Sequence, residues 1–138
     1  MVKDTYPNCE VWGVDISDKA IAENTGERPD IHYAQHYIGI NEVTKKDYFD
    51  VVFSGEVLEH IDEPAAVFRD AHKALKPGGT LIITTPLENH IDTHEHIWSY
   101  THADIDALYQ ENGFTRPEFV YLPDMEHLLV IFAVGRKV

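Results

Sequence analysis

The chain has 138 residues, enough for one domain with a real core. Hydrophobic residues make up 43% and charged residues 25%, ordinary values for a globular protein, and no apolar run approaches the roughly 20 residues that span a bilayer. Against 24 acidic side chains stand 11 basic ones, a net charge of −13 that argues against nucleic acid and anionic membranes, which are held by lysine and arginine. The N-terminus MVKDTYPNCE has no apolar stretch of the signal-peptide kind, and the single Cys9 cannot form an internal disulfide. A reducing cytoplasm is the expected location.

The predicted elements alternate. CEVWGVD, Cys9 to Asp15, is short, β-rich and bounded by turn residues, so it reads as a strand. Ser17 is a good N-cap for the helix SDKAIAENTG, which Gly26 should end. Ile31 to Gln35 is a weaker strand. FDVVFSG, Phe49 to Gly55, is a near-continuous apolar run, as a parallel strand covered on both faces would be. Asp62 should cap a helix beginning near Pro64, with Val67, Phe68, Ala71, Ala74 and Leu75 on one apolar face. Lys76 to Gly79 stops that helix, and GTLIITT, Gly79 to Thr85, is a second buried strand.

Leu87 to Tyr100 reads as a histidine-rich loop. Thr101 caps the helix THADIDALYQENG, with Gly113 just past its end. EFVYL and HLLVIFAVG, separated by Pro123 to Glu126, should close the chain as an antiparallel hairpin. The predicted fold is α/β, a Rossmann-like three-layer sandwich over residues 1–138, with a mostly parallel sheet and an antiparallel C-terminal hairpin.

VWGVDIS together with YFDVVFSGEVLEHIDEPAAVFRDAHKALKPGGTLIITTP resembles the class I S-adenosylmethionine-dependent methyltransferases over nearly the whole chain. The resemblance implies that Lys3 to Pro7 is the tail of the helix after the family's glycine-rich loop. It implies that Asp15 accepts from both ribose hydroxyls, one per carboxylate oxygen, and that Ile16 packs on the adenine. Asp15 could instead only cap the helix that follows. Gln35 and His36 stand where the family often places an acidic residue near the adenine amino group, and surface polarity explains them as well.

Ser54, Gly55 and Glu56 would line the methionine end of S-adenosylmethionine. Glu59-His60 resembles a recurrent pair at the active-site mouth, where in some relatives the histidine is a general base. The bland alternative is a polar pair opening the next helix. Trp98 and Tyr100 either stack on an acceptor or close the core. His90, Asp92, His94, Glu95, His96 and His102 are metal-capable, but they lack the one-turn helical spacing of a zincin and have no accompanying cysteines, so no metal is expected.

No strand with a G-x-G loop precedes Val11, so the chain is expected to lack the family's first strand and first helix. That implies weak cofactor binding. The Val11–Asp15 and Val51–Gly55 strands should then pair directly, or a second copy of the chain should cover their edges. Asp15, Ser54 to Glu56 and His60 are expected to converge on one cleft. The implied function is methyl transfer to a small molecule or sugar. The alternatives are a non-catalytic remnant or interaction module and, less well matched, a nicotinamide-dependent oxidoreductase, which shares the strand-end acidic residue.

Overall fold

The computed structural model describes residues 2–43, 45–86, 96–121 and 130–138. The chain divides into two compact units, Met1–Thr44 and Lys45–Val138. Among the described residues no helix is long and apolar enough to cross a membrane.

The first unit runs α1 (Val2–Thr5), β1 (Trp12–Asp15), α2 (Asp18–Glu27) and β2 (His32–Gln35). β1 and β2 pair in parallel, from Trp12 opposite His32 to Asp15 opposite Gln35. The pair is tight: a Cβ on Gly13 would stand 2.8 Å from the Tyr33 ring. Ser17 caps α2 as expected, its Oγ accepting from the Ala20 N–H at 3.2 Å. Gly26 does not end that helix. The Arg28 N–H still donates to the Asn24 carbonyl, and Gly26 is not among the glycines with positive φ, so its conformational freedom goes unused. Arg28 is held by Asp30 and Asp4 at 2.9 and 3.0 Å.

The second unit runs β3 (Phe49–Gly55), a 3-10 turn (Leu58–His60), α3 (Pro64–Ala74), β4 (Leu75–Pro86), α4 (His102–Glu111), β5 (Glu118–Val120) and β6 (Val130–Arg136). Its sheet has the order β3-β4-β6-β5. β3 and β4 are parallel, while β6 is antiparallel to both β4 and β5. The α/β fold with parallel pairs and an antiparallel C-terminal pair is therefore as the sequence predicts. The expected hairpin turn, Pro123 to Glu126, lies outside the described residues.

Three further expectations differ from the structure. Asp62 is not the cap of α3; Glu63 occupies that position and makes no side-chain cap bond. Pro64 follows it and has no N–H to satisfy, so the cap matters less here. The second correction concerns β4, which begins at Leu75 instead of Gly79 and carries the Lys76–Gly79 turn within it. Gly78 takes φ +76°, and the register slips from Phe49–Leu75 to Val51–Thr80, so the turn is absorbed as a bulge. Finally, the Val11–Asp15 and Val51–Gly55 strands do not pair directly. β1 pairs with β2 and β3 with β4, in separate sheets, each through its own crossover helix; this removes the direct-pairing branch of the expectation and leaves cover by a second copy as the other.

The core of this unit lies under α3 and α4. Ala66, Val67, Phe68 and Ala71 of α3 are buried, and so are Leu81, Ile83, Ile131 and Ala133 on alternate positions of β4 and β6. Tyr109 of α4 reaches the sheet, its hydroxyl donating to the Leu81 and Ala133 carbonyls at 3.2 and 2.6 Å. Burial pushes its phenol pKa up, so it stays a donor. A Cβ on Gly135 would stand 2.5 Å from Tyr109 Cδ1. The ring is pinned at both ends and cannot yield, so Gly135→Ala should cost about 1–3 kcal/mol in urea unfolding. A wild-type midpoint would show that the ring can swing aside.

Thr101 makes the expected cap of α4 and completes a capping box with Asp104. Gly113 follows the helix in the left-handed region, φ +82°, as its position past the helix end requires.

Candidate functional site

In the first unit the candidate residues gather at the carboxyl ends of β1 and β2. Asp15 ends β1 and is exposed, with Oδ1 accepting from the Ser17 N–H at 2.8 Å. This is an Asx turn onto Ser17, the residue that itself caps α2, and it uses one oxygen; Oδ2 has no partner among the described residues. Ile16 beside it is 62% exposed, an apolar side chain presented to solvent. Gln35 ends β2, and its Nε2 donates to the Ile16 carbonyl at 2.9 Å and the Tyr37 hydroxyl at 2.8 Å. Its Oε1 is left as the outward acceptor. His36 is buried, and its N–H donates to the Asp15 carbonyl at 3.0 Å. The sequence reading did not include Tyr37, whose ring is half-exposed beside Gln35.

In the second unit Ser54 and Gly55 end β3. A Cβ on Gly55 would stand 2.7 Å from the tip of the Phe53 ring, so a larger residue here would have to push that exposed ring aside. Glu56 turns the chain at φ +51°, unusual for a residue with a Cβ, and its N–H donates to the Thr84 carbonyl at 3.0 Å. Partial burial pushes the Glu56 carboxyl pKa up, and the neighbouring Glu59 charge adds to the rise. A hydrogen bond with Thr84 opposes it.

The 3-10 turn then sets Glu59 inward and His60 at the surface. Glu59 is 1% exposed, while the His60 side chain is 38% exposed. Glu59 Oε2 accepts from Thr85 Oγ1 at 3.1 Å. His60 Nε2 lies 3.8 Å from Glu59 Oε1, too far for a hydrogen bond.

The segment after β4 is laced onto this turn. The Ile97 and Trp98 N–H groups donate to the Glu59 carbonyl at 3.0 and 3.3 Å. The Trp98 indole donates to the Ile61 carbonyl at 2.8 Å, and the Tyr100 hydroxyl to the Leu58 carbonyl at 3.1 Å. Tyr100 is buried and belongs to the core, whereas Trp98 keeps a half-exposed ring at the rim. This lacing brings the His96 ring to 4.8 Å from that of His60. The sequence reading placed His96 in the loop but did not connect it with Glu59 or His60. His90, Asp92, His94 and Glu95 lie outside the described residues. His102 stands apart at the start of α4, its Nε2 bonded to the Tyr121 hydroxyl.

The model of the methyltransferase domain family covers residues 3–119. The chain belongs to this methyltransferase family.

Among curated relatives, a ubiquinone biosynthesis O-methyltransferase of Psychrobacter arcticus is 26% identical over 137 residues, covering 82% of this chain and 53% of that protein. The chain thus spans about half the length of that relative. A Haloferax volcanii protein solved in complex with the Trm112 methyltransferase activator superposes with a TM-score of 0.83 at 16% identity, over 98% of this chain and 75% of that one. An S-adenosylmethionine-dependent methyltransferase of Mesorhizobium loti gives 0.72 at 17% identity, over 93% and 80%.

S-adenosylmethionine is the cofactor of the family. The side chains of the first unit suit its adenosine half: Asp15 and Gln35 carry acceptor oxygens for hydroxyl and amino groups, and Ile16 presents an apolar side chain to solvent.

Proposed function

We propose that this chain carries an S-adenosylmethionine-dependent methyltransferase site whose acceptor is an oxygen of a small molecule. The observation that supports it most is the position of Asp15, Gln35 and Ser54 to Glu56 at or just past the carboxyl ends of parallel strands, in a chain of the methyltransferase family. Asp15 takes the ribose hydroxyls, and Ile16, Gln35 and His36 take the adenine. Ser54, Gly55 and Glu56 line the methionine end. The bound cofactor supplies a sulfonium methyl that the acceptor oxygen attacks in line, leaving S-adenosylhomocysteine.

The chain's own contribution is placement and help at the acceptor oxygen as its proton leaves. His60 gives that help, because it is the exposed member of the pair while Glu59 is buried beneath. Oxygen as the acceptor atom is favoured by the ubiquinone biosynthesis O-methyltransferase relative. A small acceptor suits a chain of charge −13 better than a polyanion does.

Calorimetric titration with S-adenosylhomocysteine tests the reading. Asp15→Ala removes acceptors for two hydroxyls, at about 1.5–3 kcal/mol for each bond to a charged group, so its affinity should fall at least about tenfold. Equal affinity in both proteins would remove Asp15 from the cofactor site. No heat with either protein would favour the non-catalytic interaction module.

A further inference from the structure

Two polar atoms of the second unit are buried without a hydrogen-bond partner among the described residues: Glu59 Oε1 and His96 Nδ1. Orphans of this kind are rare, because a buried acceptor that gives up water and gains nothing is destabilising. Here both orphans belong to one cluster. Glu59, His60 and His96 each offer a ligand atom, and the three atoms lie within 4.8 Å of one another.

We propose that Glu59, His60 and His96 bind one divalent transition-metal ion of the zinc type, through Glu59 Oε1 and one imidazole nitrogen from each histidine. One cation bound through Glu59 Oε1 and His96 Nδ1 would satisfy both orphans at once, and the two form no hydrogen bond with each other. Two imidazoles and a carboxylate suit zinc and its neighbours better than magnesium or calcium, which prefer oxygen-only sets. Tetrahedral bonds of about 2.1 Å place ligand atoms about 3.4 Å apart. The 3.8 Å between Glu59 Oε1 and His60 Nε2 is already near that edge, and small ring rotations close the rest.

The site is held in place by its surroundings. Thr85 Oγ1 fixes the other Glu59 oxygen, the kind of outer partner that orients a metal ligand. Hydrogen bonds from Ile97, Trp98 and Tyr100 tie the segment carrying His96 to the turn carrying Glu59 and His60. Glu56 adds a second carboxylate close enough for its charge to be felt by the cluster.

Three protein ligands leave a fourth position open, as in catalytic rather than structural zinc sites. On the methyl-transfer reading, and resting on it, the acceptor oxygen takes that position. His60 then serves as a ligand and not as a base, since a lone pair given to the ion accepts no proton. Metal binding itself does not depend on that reading.

The test uses the full chain, stripped with chelator and dialysed. It is titrated with Zn²⁺ by calorimetry and with Co²⁺ by visible absorption. One ion per chain is expected, with the bands of a low-coordinate Co²⁺ site. Glu59→Gln and His96→Ala should each weaken binding about tenfold or more, and His32→Ala, a histidine of the first unit, should change nothing. Should Glu59→Gln fail to fold, His96→Ala decides alone, its melting temperature being followed in parallel.

No saturable binding, or equal binding by His96→Ala, would overturn the proposal, and so would an equal loss in His32→Ala. Zinc bound without any response to S-adenosylhomocysteine would keep the metal site and sink the methyl-transfer reading. Response to S-adenosylhomocysteine without zinc would do the reverse.

Discussion

Phe68→Ala should lower the unfolding free energy by about 3–5 kcal/mol, the usual cost of emptying a buried aromatic site. Phe68 is fully buried on α3 and meets the Tyr109 and Phe114 rings edge-on, with centroids 5.1 and 6.3 Å away. Tyr109 is in turn fastened to β4 and β6 through its hydroxyl. The surrounding groups therefore cannot collapse into the space, which puts the cost toward the upper end. Small domains hold only about 5–15 kcal/mol in all, so the variant should melt far below the wild type. Phe53→Ala is the matched control. Phe53 is 61% exposed on β3, and its loss should change the urea midpoint little. Equal effects from the two substitutions would mean that the core does not lie between α3, α4 and the sheet.

His60→Ala should lower methyl-transfer turnover by about 10²–10³ while leaving S-adenosylhomocysteine affinity within twofold of wild type. Removing a group that acts on the reacting oxygen, by proton transfer or by electrostatic stabilisation, has effects of about this size. The affinity should hold because Asp15, Ile16 and Gln35 are untouched. The substitution should also be mild for the fold, since the His60 side chain is 38% exposed. Turnover on a panel of phenolic acceptors, with calorimetry alongside, reads both quantities. Unchanged turnover would remove His60 from the chemistry. Loss of turnover and affinity together would make it a structural residue.

Much of the fold was legible because its signals are local. Ser17 and Thr101 announce their helices through a side-chain oxygen that reaches an amide three residues on. The spacing of Val67, Phe68 and Ala71 on α3 is a periodicity, and packing followed it; the apolar run of β3 did form a parallel strand, but it is not covered on both faces, since Val51 and Phe53 are exposed. Asp15 was likewise legible as the end of a β-rich run just before a helix cap. The misses are places where a local signal competes with a longer-range one. Asp62 is a good cap in isolation, but Glu63 and Pro64 set where α3 begins. Lys76 to Gly79 is a stop signal in isolation, yet pairing of Leu75 with Phe49 draws the turn into β4. Gly26 could have ended α2, but the helix continued because Arg28 still found the Asn24 carbonyl.

By itself, then, the sequence determined the order of strands and helices, the parallel pairing within each crossover, and the residue types at the strand ends. These depend on side-chain pattern and cap chemistry over a few residues. Only the tertiary structure decided that Glu59 is buried while its neighbour His60 is exposed. It also decided that Tyr100 closes the core while Trp98 stays at the rim, and that His96 meets a pair 36 positions earlier in the chain. The reason is that these outcomes depend on which carbonyls of the Leu58–Ile61 turn receive the donors of the segment after β4. Hydrogen bonds across that separation leave no periodicity in the sequence.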